Sequence, residues 1–335
     1  MLMQEADEVG AAPGAHSGRV LLAGASGYIG AHVGRTLRAE GYEVLALHRG
    51  AVDPLRGAPG VTVCRADAFE ARSLQVALAG ERIDAVISCI ASRNGAKKDA
   101  WAVDHDANAH LLAAAKAAGA KHFVLLSAIC VQKPRLAFQH AKLAFEATLR
   151  ESGLRYSIVR PTAYFKSLAG QIARVQAGKP FLVFGEGTET SCKPIGEEDL
   201  ARYLVACLSV PERGNRVLPI GGPGPAITPR EQGTLLCELA GQPVNVRSVS
   251  PRLFDAAIAV LSPLSRVIPP LAAKAEFARI GRYYATESML HWDPERQVYD
   301  AEQTPSTGSQ TLRAFYARVL GDGLQDQALG EHKLF

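Results

Sequence analysis

One segment constrains this chain more than any other: Gly24-Ala25-Ser26-Gly27-Tyr28-Ile29-Gly30, which follows the apolar run Arg19–Ala23 and opens a stretch of helical period, Ile29–Glu40. Glycines at this spacing between a strand and a helix do separate jobs. Gly24 permits the tight turn, Gly27 lets backbone approach a pyrophosphate, and Gly30 lets helix and strand pack closely. Backbone amides along Ser26, Gly27, Tyr28, Ile29 and Gly30 then face the phosphate charge at the positive end of the helix. The sequence therefore predicts a dinucleotide site on an α/β fold.

The rhythm of the chain agrees. Short apolar runs at Arg19–Ala23, Glu43–Leu47, Val61–Cys64, Ala85–Ile90, His122–Leu126 and Arg155–Val159 alternate with helical stretches at Ile29–Glu40, Leu74–Ala79, Ala100–Ala118 and Leu136–Ser152. Several of the helices close at glycines, Gly41, Gly119 and Gly153. Six strands with crossover helices predict a Rossmann-type doubly wound parallel sheet over residues 18–162. After Pro161 shorter elements follow, read as a smaller C-terminal substrate lobe over 163–335 with some elements returning to the sheet. The polar stretch Asp300–Gln310 is expected as a loop before a last helix near Thr311–Leu320. Residues 1–17 carry no apolar core with a cleavage site and are expected to be a disordered tail.

Composition removes other classes. The formal charge is +4 with no block of like charge, which argues against a nucleic-acid partner. Six scattered cysteines, Cys64, Cys89, Cys130, Cys192, Cys207 and Cys237, form no C-x-x-C pair, so no metal is expected and the thiols read as small buried hydrophobes. A cytoplasmic setting is the expectation. The nearest approach to a spanning segment is Leu253–Ile280, broken by Pro263, Pro269 and Pro270 and carrying Asp255, Arg266, Lys274 and Arg279. It reads as one or two amphipathic helices, with packing on the body, peripheral membrane contact and a wall for a greasy substrate all open. Oligomeric state is not legible.

Strand ends sharpen the cofactor. The second strand ends Leu47-His48-Arg49, where an NADH enzyme usually carries an acidic residue; Arg49 instead offers a planar cation to a 2′-phosphate, with His48 as a weaker partner, which points to NADPH. Asp67 and Ala68 follow the third strand at the adenine end. Cys89, Ile90 and Ala91 follow the fourth along the ribose and pyrophosphate.

In this order the pieces resemble the extended or atypical short-chain dehydrogenases/reductases. That family has a serine after the fifth strand and a Y-x-x-x-K pair on the next helix. Ser127 and Lys142 match the serine and the lysine, but Phe138 stands where the tyrosine acid belongs. The resemblance implies that Lys142 holds the nicotinamide ribose and leaves Ser127 between a nicotinamide or substrate contact and a hydroxyl spent on backbone. It also implies that Pro161, Thr162 and Phe165 pass the carboxamide. A ketone reduced by hydride needs a proton at oxygen, so Phe138 disfavours alcohol–ketone chemistry.

A narrower resemblance rests on HFVLLSAICVQKP, FQHAKLAFE, YSIVRPTAYFKSLAGQ, AGKPFLVFGEG, CKPIGEEDLA and YDAEQTPSTGSQTL. These segments are similar to the NADPH-dependent divinyl chlorophyllide a 8-vinyl-reductase family, in which Phe also precedes the lysine. The resemblance implies a tetrapyrrole substrate, divinyl chlorophyllide or protochlorophyllide, whose 8-vinyl group becomes ethyl in chlorophyll and bacteriochlorophyll synthesis. An alkene conjugated to a macrocycle forms no oxyanion, so the usual tyrosine has no task. Tyr164, Lys166, Lys142 and water remain open as proton source. Lys193 is weighed as a partner for a pigment propionate against a surface lysine. Phe165, Leu168, Phe181 and Phe184 are weighed as an apolar wall against plain core. Two other readings stay open: a non-catalytic NADPH-binding regulator or assembly factor, and a reductase of another conjugated alkene.

Overall fold

The computed structural model describes residues 18–50, 59–268 and 270–322. The expected N-terminal tail lies outside the described residues. Seven parallel strands form the central sheet in the order β3-β2-β1-β4-β5-β6-β8: β1 Arg19–Ala23, β2 Glu43–His48, β3 Val61–Arg65, β4 Ala85–Ser88, β5 His122–Leu126, β6 Arg155–Pro161 and β8 Arg216–Ile220. Strand order reverses between β1 and β4, and the loops leaving those two strands bound the crevice where ligands bind in open parallel sheets.

Both faces are covered. On one side α1 Tyr28–Ala39 packs beside α7 Glu197–Ala206, with Val33, Leu37, Leu200 and Leu204 buried against Leu22 and Val124. On the other, α2 Ala71–Ala77, α4 Asn108–Ala117 and α5 Ala137–Arg150 close over Leu21, Leu45, Val86 and Leu125. Gly41, Gly119 and Gly153 end their helices with positive φ, a conformation that glycine adopts without a Cβ penalty.

The structure corrects the strand count: β8 makes a seventh strand, and it lies with α7 beyond the expected boundary at residue 162. What remains is a smaller lobe around α6 Ile172–Gln176, the pair β7 Phe181–Phe184 and β9 Val246–Val249, α8 Pro229–Leu239 and α11 Leu312–Asp322, with its own core of Phe165, Ile172, Phe181, Leu236, Phe315 and Tyr316. A helical hairpin, α9 Arg252–Leu264 and α10 Leu271–Tyr284, returns toward the sheet, where Ile280 and Tyr283 pack with Cys130 and Leu136.

The stretch read as one helix over Ala100–Ala118 has three parts: α3 Lys97–Ala100, a π-helical turn Trp101–Ala107, and α4. Asn108 sustains the widening, donating from Nδ2 to the carbonyls of Val103 (3.2 Å) and Asp104 (3.3 Å) while Oδ1 accepts from Ser88 Oγ at 2.6 Å. Wide turns of this kind concentrate at functional sites, because they re-aim one side chain. Here that side chain is Asp104.

Among the described residues no helix is long and apolar enough to cross a membrane, and no cluster of ligating side chains could hold a metal. All six cysteines are free, five buried and Cys89 partly so.

Candidate active site

The glycine loop is built for close backbone approach. Gly24 has φ +81, and a Cβ there would lie 2.8 Å from the Cys89 carbonyl; a Cβ on Gly30 would lie 2.0 Å from the Gly24 oxygen. Gly27 N donates to Gly24 O at 2.9 Å and closes the turn. Helix α1 then starts with no side-chain cap, so the amides of its first turn are left for a ligand, and Ser26 and Gly27 are exposed beside them. Uncapped amides in a tight turn at the strand-order reversal fit a pyrophosphate.

At the adenine end His48 closes β2 and is tied through Nδ1 to Gly50 O at 2.8 Å, while Arg49 is exposed with its guanidinium 5.4 Å from the Phe69 ring centre. Arg49 thus stands open to solvent at the end of β2, and Phe69 is an aromatic surface beside it that sequence reasoning missed. Asp67 Oδ1 accepts from Phe69 N at 3.0 Å, so one carboxylate oxygen shapes the turn. Ala68 O contacts His110 Nδ1 at 3.2 Å. Cys89 N donates to Ala23 O at 2.9 Å, which sets Cys89, Ile90 and Ala91 against the glycine loop.

Lys142, 8 % exposed, reaches across to the π-helical turn: its Nζ lies 3.0 Å from Asp104 Oδ1. Asp104 is held in turn by Ser92 Oγ (2.6 Å to Oδ2) and Ser92 N (3.3 Å to Oδ1). Burial of both charges favours one fixed geometry, since separating them leaves an uncompensated ion. The motif reading identified the lysine; Asp104 and Ser92 were not found from the sequence.

Ser127 is tied to a charged pair. Its Oγ donates to Glu146 Oε1 at 2.6 Å, and Glu146 also accepts from Arg160 Nε at 3.1 Å and from the same guanidinium's terminal nitrogen. The hydroxyl proton goes to a buried ion pair and not to backbone, and the oxygen keeps its acceptor lone pairs. Phe165 is likewise core: its ring centre lies 5.4 Å from that of Phe315. Pro161 is buried in β6, and Thr162 N donates to Ile220 O at 3.0 Å while its hydroxyl donates to Lys193 O, so Thr162 fixes a backbone crossing. Lys193 itself donates to Thr304 O (3.0 Å) and Ser306 Oγ (3.1 Å), which uses two of its three N–H groups on the 304–306 segment. Phe181 is lobe core and Phe184 stacks on Phe254 at 4.8 Å.

Of the open proton sources, the structure separates two. Lys166 lies at the glycine loop, its Nζ 4.6 Å from the Tyr28 ring centre, and burial lowers its pKa. Tyr164 is partly buried in a different setting, near the Cys89 and Cys130 thiols and Tyr284, and burial pushes its hydroxyl well above the ordinary phenol value. Tyr164 is therefore a protonated phenol throughout the neutral range.

Two neighbours of Tyr164, Cys130 and Tyr284, belong to a separate apolar cluster. Phe138, Ala128, Tyr284 and Met289, all partly buried, pack on Cys130, Leu136, Ile280 and Tyr283. Tyr283 Oη donates to the carbonyls of Cys130 (2.9 Å) and Lys133 (3.2 Å), and Gln139 Nε2 donates to Cys130 O at 3.1 Å. Lys133 pairs with Glu287 at 2.7 Å and sits 4.0 Å from the Trp292 ring centre. The loop after β5 is thus fixed from both sides, and the ring of Phe138 occupies the usual acid position with carbon alone.

Comparisons with known proteins agree with this geometry. A family model described as NAD(P)H-binding matches residues 24–211. The chloroplastic divinyl chlorophyllide a 8-vinyl-reductase of Arabidopsis thaliana is 45% identical over 329 residues, covering 93% of this chain and 79% of the relative. The protein of the same name from Oryza sativa subsp. indica is 47% identical, covering 94% and 82%. Among solved structures, an NADPH-dependent quinone oxidoreductase of Escherichia coli complexed with NADPH superposes with a TM-score of 0.66 at 18% identity, over 90% of this chain and 99% of that one, which bears on the fold.

Proposed function

The chain belongs to the divinyl chlorophyllide a 8-vinyl-reductase family, within the NAD(P)H-binding proteins, and from that premise we propose that it reduces the 8-vinyl group of divinyl chlorophyllide or protochlorophyllide to ethyl with NADPH. The observation that carries the reading is Phe138 with Lys142 four residues on: the lysine is kept and the ketone-reducing acid is replaced by a ring that contributes only surface.

The residues fit the cofactor. Gly24, Ser26, Gly27, Tyr28, Ile29 and Gly30 hold the pyrophosphate through backbone, with Cys89, Ile90 and Ala91 opposite; Arg49, with His48, takes the 2′-phosphate; Asp67 and Ala68 border the adenine. Bound NADPH would supply the hydride for the terminal vinyl carbon and be left oxidised. Lys142, held by Asp104, fixes the nicotinamide ribose. Phe138, Tyr284 and Met289 keep water from the face of the macrocycle. Tyr164 gives its phenolic proton to the inner vinyl carbon, which completes the ethyl group, and is reprotonated from solvent. Much of the acceleration comes from holding these groups in place.

The nucleotide-binding unit is the sheet with its helices, and the lobe after residue 162 together with the hairpin forms the pigment side. A flat, apolar pigment partitions into lipid, so the reading includes peripheral membrane contact. Purified protein incubated with NADPH and divinyl chlorophyllide should shift the Soret band to the blue as the vinyl leaves conjugation. No shift, with nucleotide shown bound, overturns the reading.

A further inference from the structure

Helix α9 carries an apolar stripe that no other element covers among the described residues. From Ala256 to Ser265 it carries no charge, yet none of its residues is buried. One face is used: Phe254 stacks on Phe184, and polar groups join α9 to α10 through Asp255–Arg282 (2.9 Å) and Ser262–Arg279 (2.6 Å). The opposite stripe, Leu253, Val260 and Leu264, points to solvent at helical spacing, and Val267 and Ile268 continue it at the hairpin tip, where Val267 is 81 % exposed. A contiguous apolar stripe left on a helix surface normally marks a contact site.

The charges indicate what covers it. Both acidic groups of the hairpin are neutralised, Asp255 by Arg282 and Glu276 by Arg279. Arg252, Arg266 and Lys274 are exposed and make no ion pair among the described residues. The outward face therefore combines an apolar stripe, a protruding Val267-Ile268 tip and a purely cationic fringe, the pattern of an interfacial helix on an anionic lipid surface.

We propose that the α9–α10 hairpin docks the protein on an anionic bilayer, with Leu264, Val267 and Ile268 inserted among the lipid chains and Arg266 and Lys274 at the headgroups. The proposal deepens the reductase reading and rests on it for the identity of the cargo: α10 carries Ile280, Tyr283 and Tyr284 from the docking face to the Phe138 wall, so a pigment leaving lipid would meet the site along the same helix.

The test is sedimentation of the full chain with vesicles of phosphatidylcholine and phosphatidylglycerol in equal parts, without pigment or nucleotide. Binding should be at least about tenfold stronger than to phosphatidylcholine alone and should weaken with salt. The double variant Val267→Asp/Ile268→Asp should lose about tenfold or more, as should Arg266→Ala/Lys274→Ala, with NADPH affinity unchanged as the check on folding. The proposal is overturned if the wild type ignores anionic vesicles, if the aspartate variant binds like wild type, or if the stripe proves to be a lipid-free dimer contact that the variant abolishes. Turnover of detergent-dispersed pigment is read separately, so failure of docking and failure of the reductase assignment are told apart.

Discussion

Lys142 and Asp104 form a buried ion pair, 3.0 Å from Nζ to Oδ1, and the carboxylate reaches the lysine from a π-helical turn that Asn108 holds open. Removing one charge strands the other. Asp104→Asn should destabilise the protein by about 3 kcal/mol, and it should weaken NADPH binding by freeing the ammonium. Lys142→Met in the same background should restore part of the stability but none of the turnover. Denaturant titration and nucleotide binding check this; additive stability losses would contradict the pairing.

The proposed determinant of nucleotide preference is Arg49. Arg49→Ala should weaken NADPH by roughly 10- to 100-fold, the worth of one or two charge-assisted hydrogen bonds, and leave NADH nearly unchanged. Binding titrations with both nucleotides decide it, and equal losses would remove the phosphate role.

The proposed proton donor is Tyr164. Tyr164→Phe keeps the ring and removes the proton, so kcat should fall by about 100-fold or more with NADPH affinity intact. Because burial raises the hydroxyl's pKa, wild-type turnover should show no loss from Tyr164 ionisation up to pH 9. Unaltered turnover in the variant would exclude the role.

His122 makes stability acid-sensitive. Burial, with Arg155 nearby, lowers its pKa to about 4, and its Nε2 lies 3.0 Å from Ser157 Oγ. A histidine neutral in the fold but protonated when unfolded adds stability above its unfolded value of 6.5 that is lost as pH falls toward 4. His122→Gln should therefore lose less stability than wild type between pH 7 and pH 5. Denaturation midpoints at both values test it, and identical losses would contradict it.

Local chemistry made much of this architecture legible. The bounds of β1 and β5 and the three helix-ending glycines follow from apolar runs and backbone freedom. Strand β8 was hidden because Pro219 argues against a strand; at the sheet edge a proline costs no interior ladder bond. The π-helical turn has no propensity signature, since its extra residue is fixed by Asn108 and Ser88 on separate elements. The partner of Ser127 was hidden for the same reason: Glu146, which accepts its hydroxyl proton and is held by Arg160, comes beside it only on folding. Lys142 was readable because a motif carries it, whereas its partner was not.

The central claim is that hydride passes from NADPH to an alkene beside Phe138. The direct measurement is a turnover with cofactor deuterated at the transferring position of nicotinamide C4, followed by mass and magnetic-resonance analysis of the pigment. The account predicts one deuterium on the terminal carbon of the new ethyl group and a solvent-derived proton on the inner carbon. An ethyl group free of deuterium, or a pigment that keeps its vinyl while the protein is saturated with nucleotide, would contradict it.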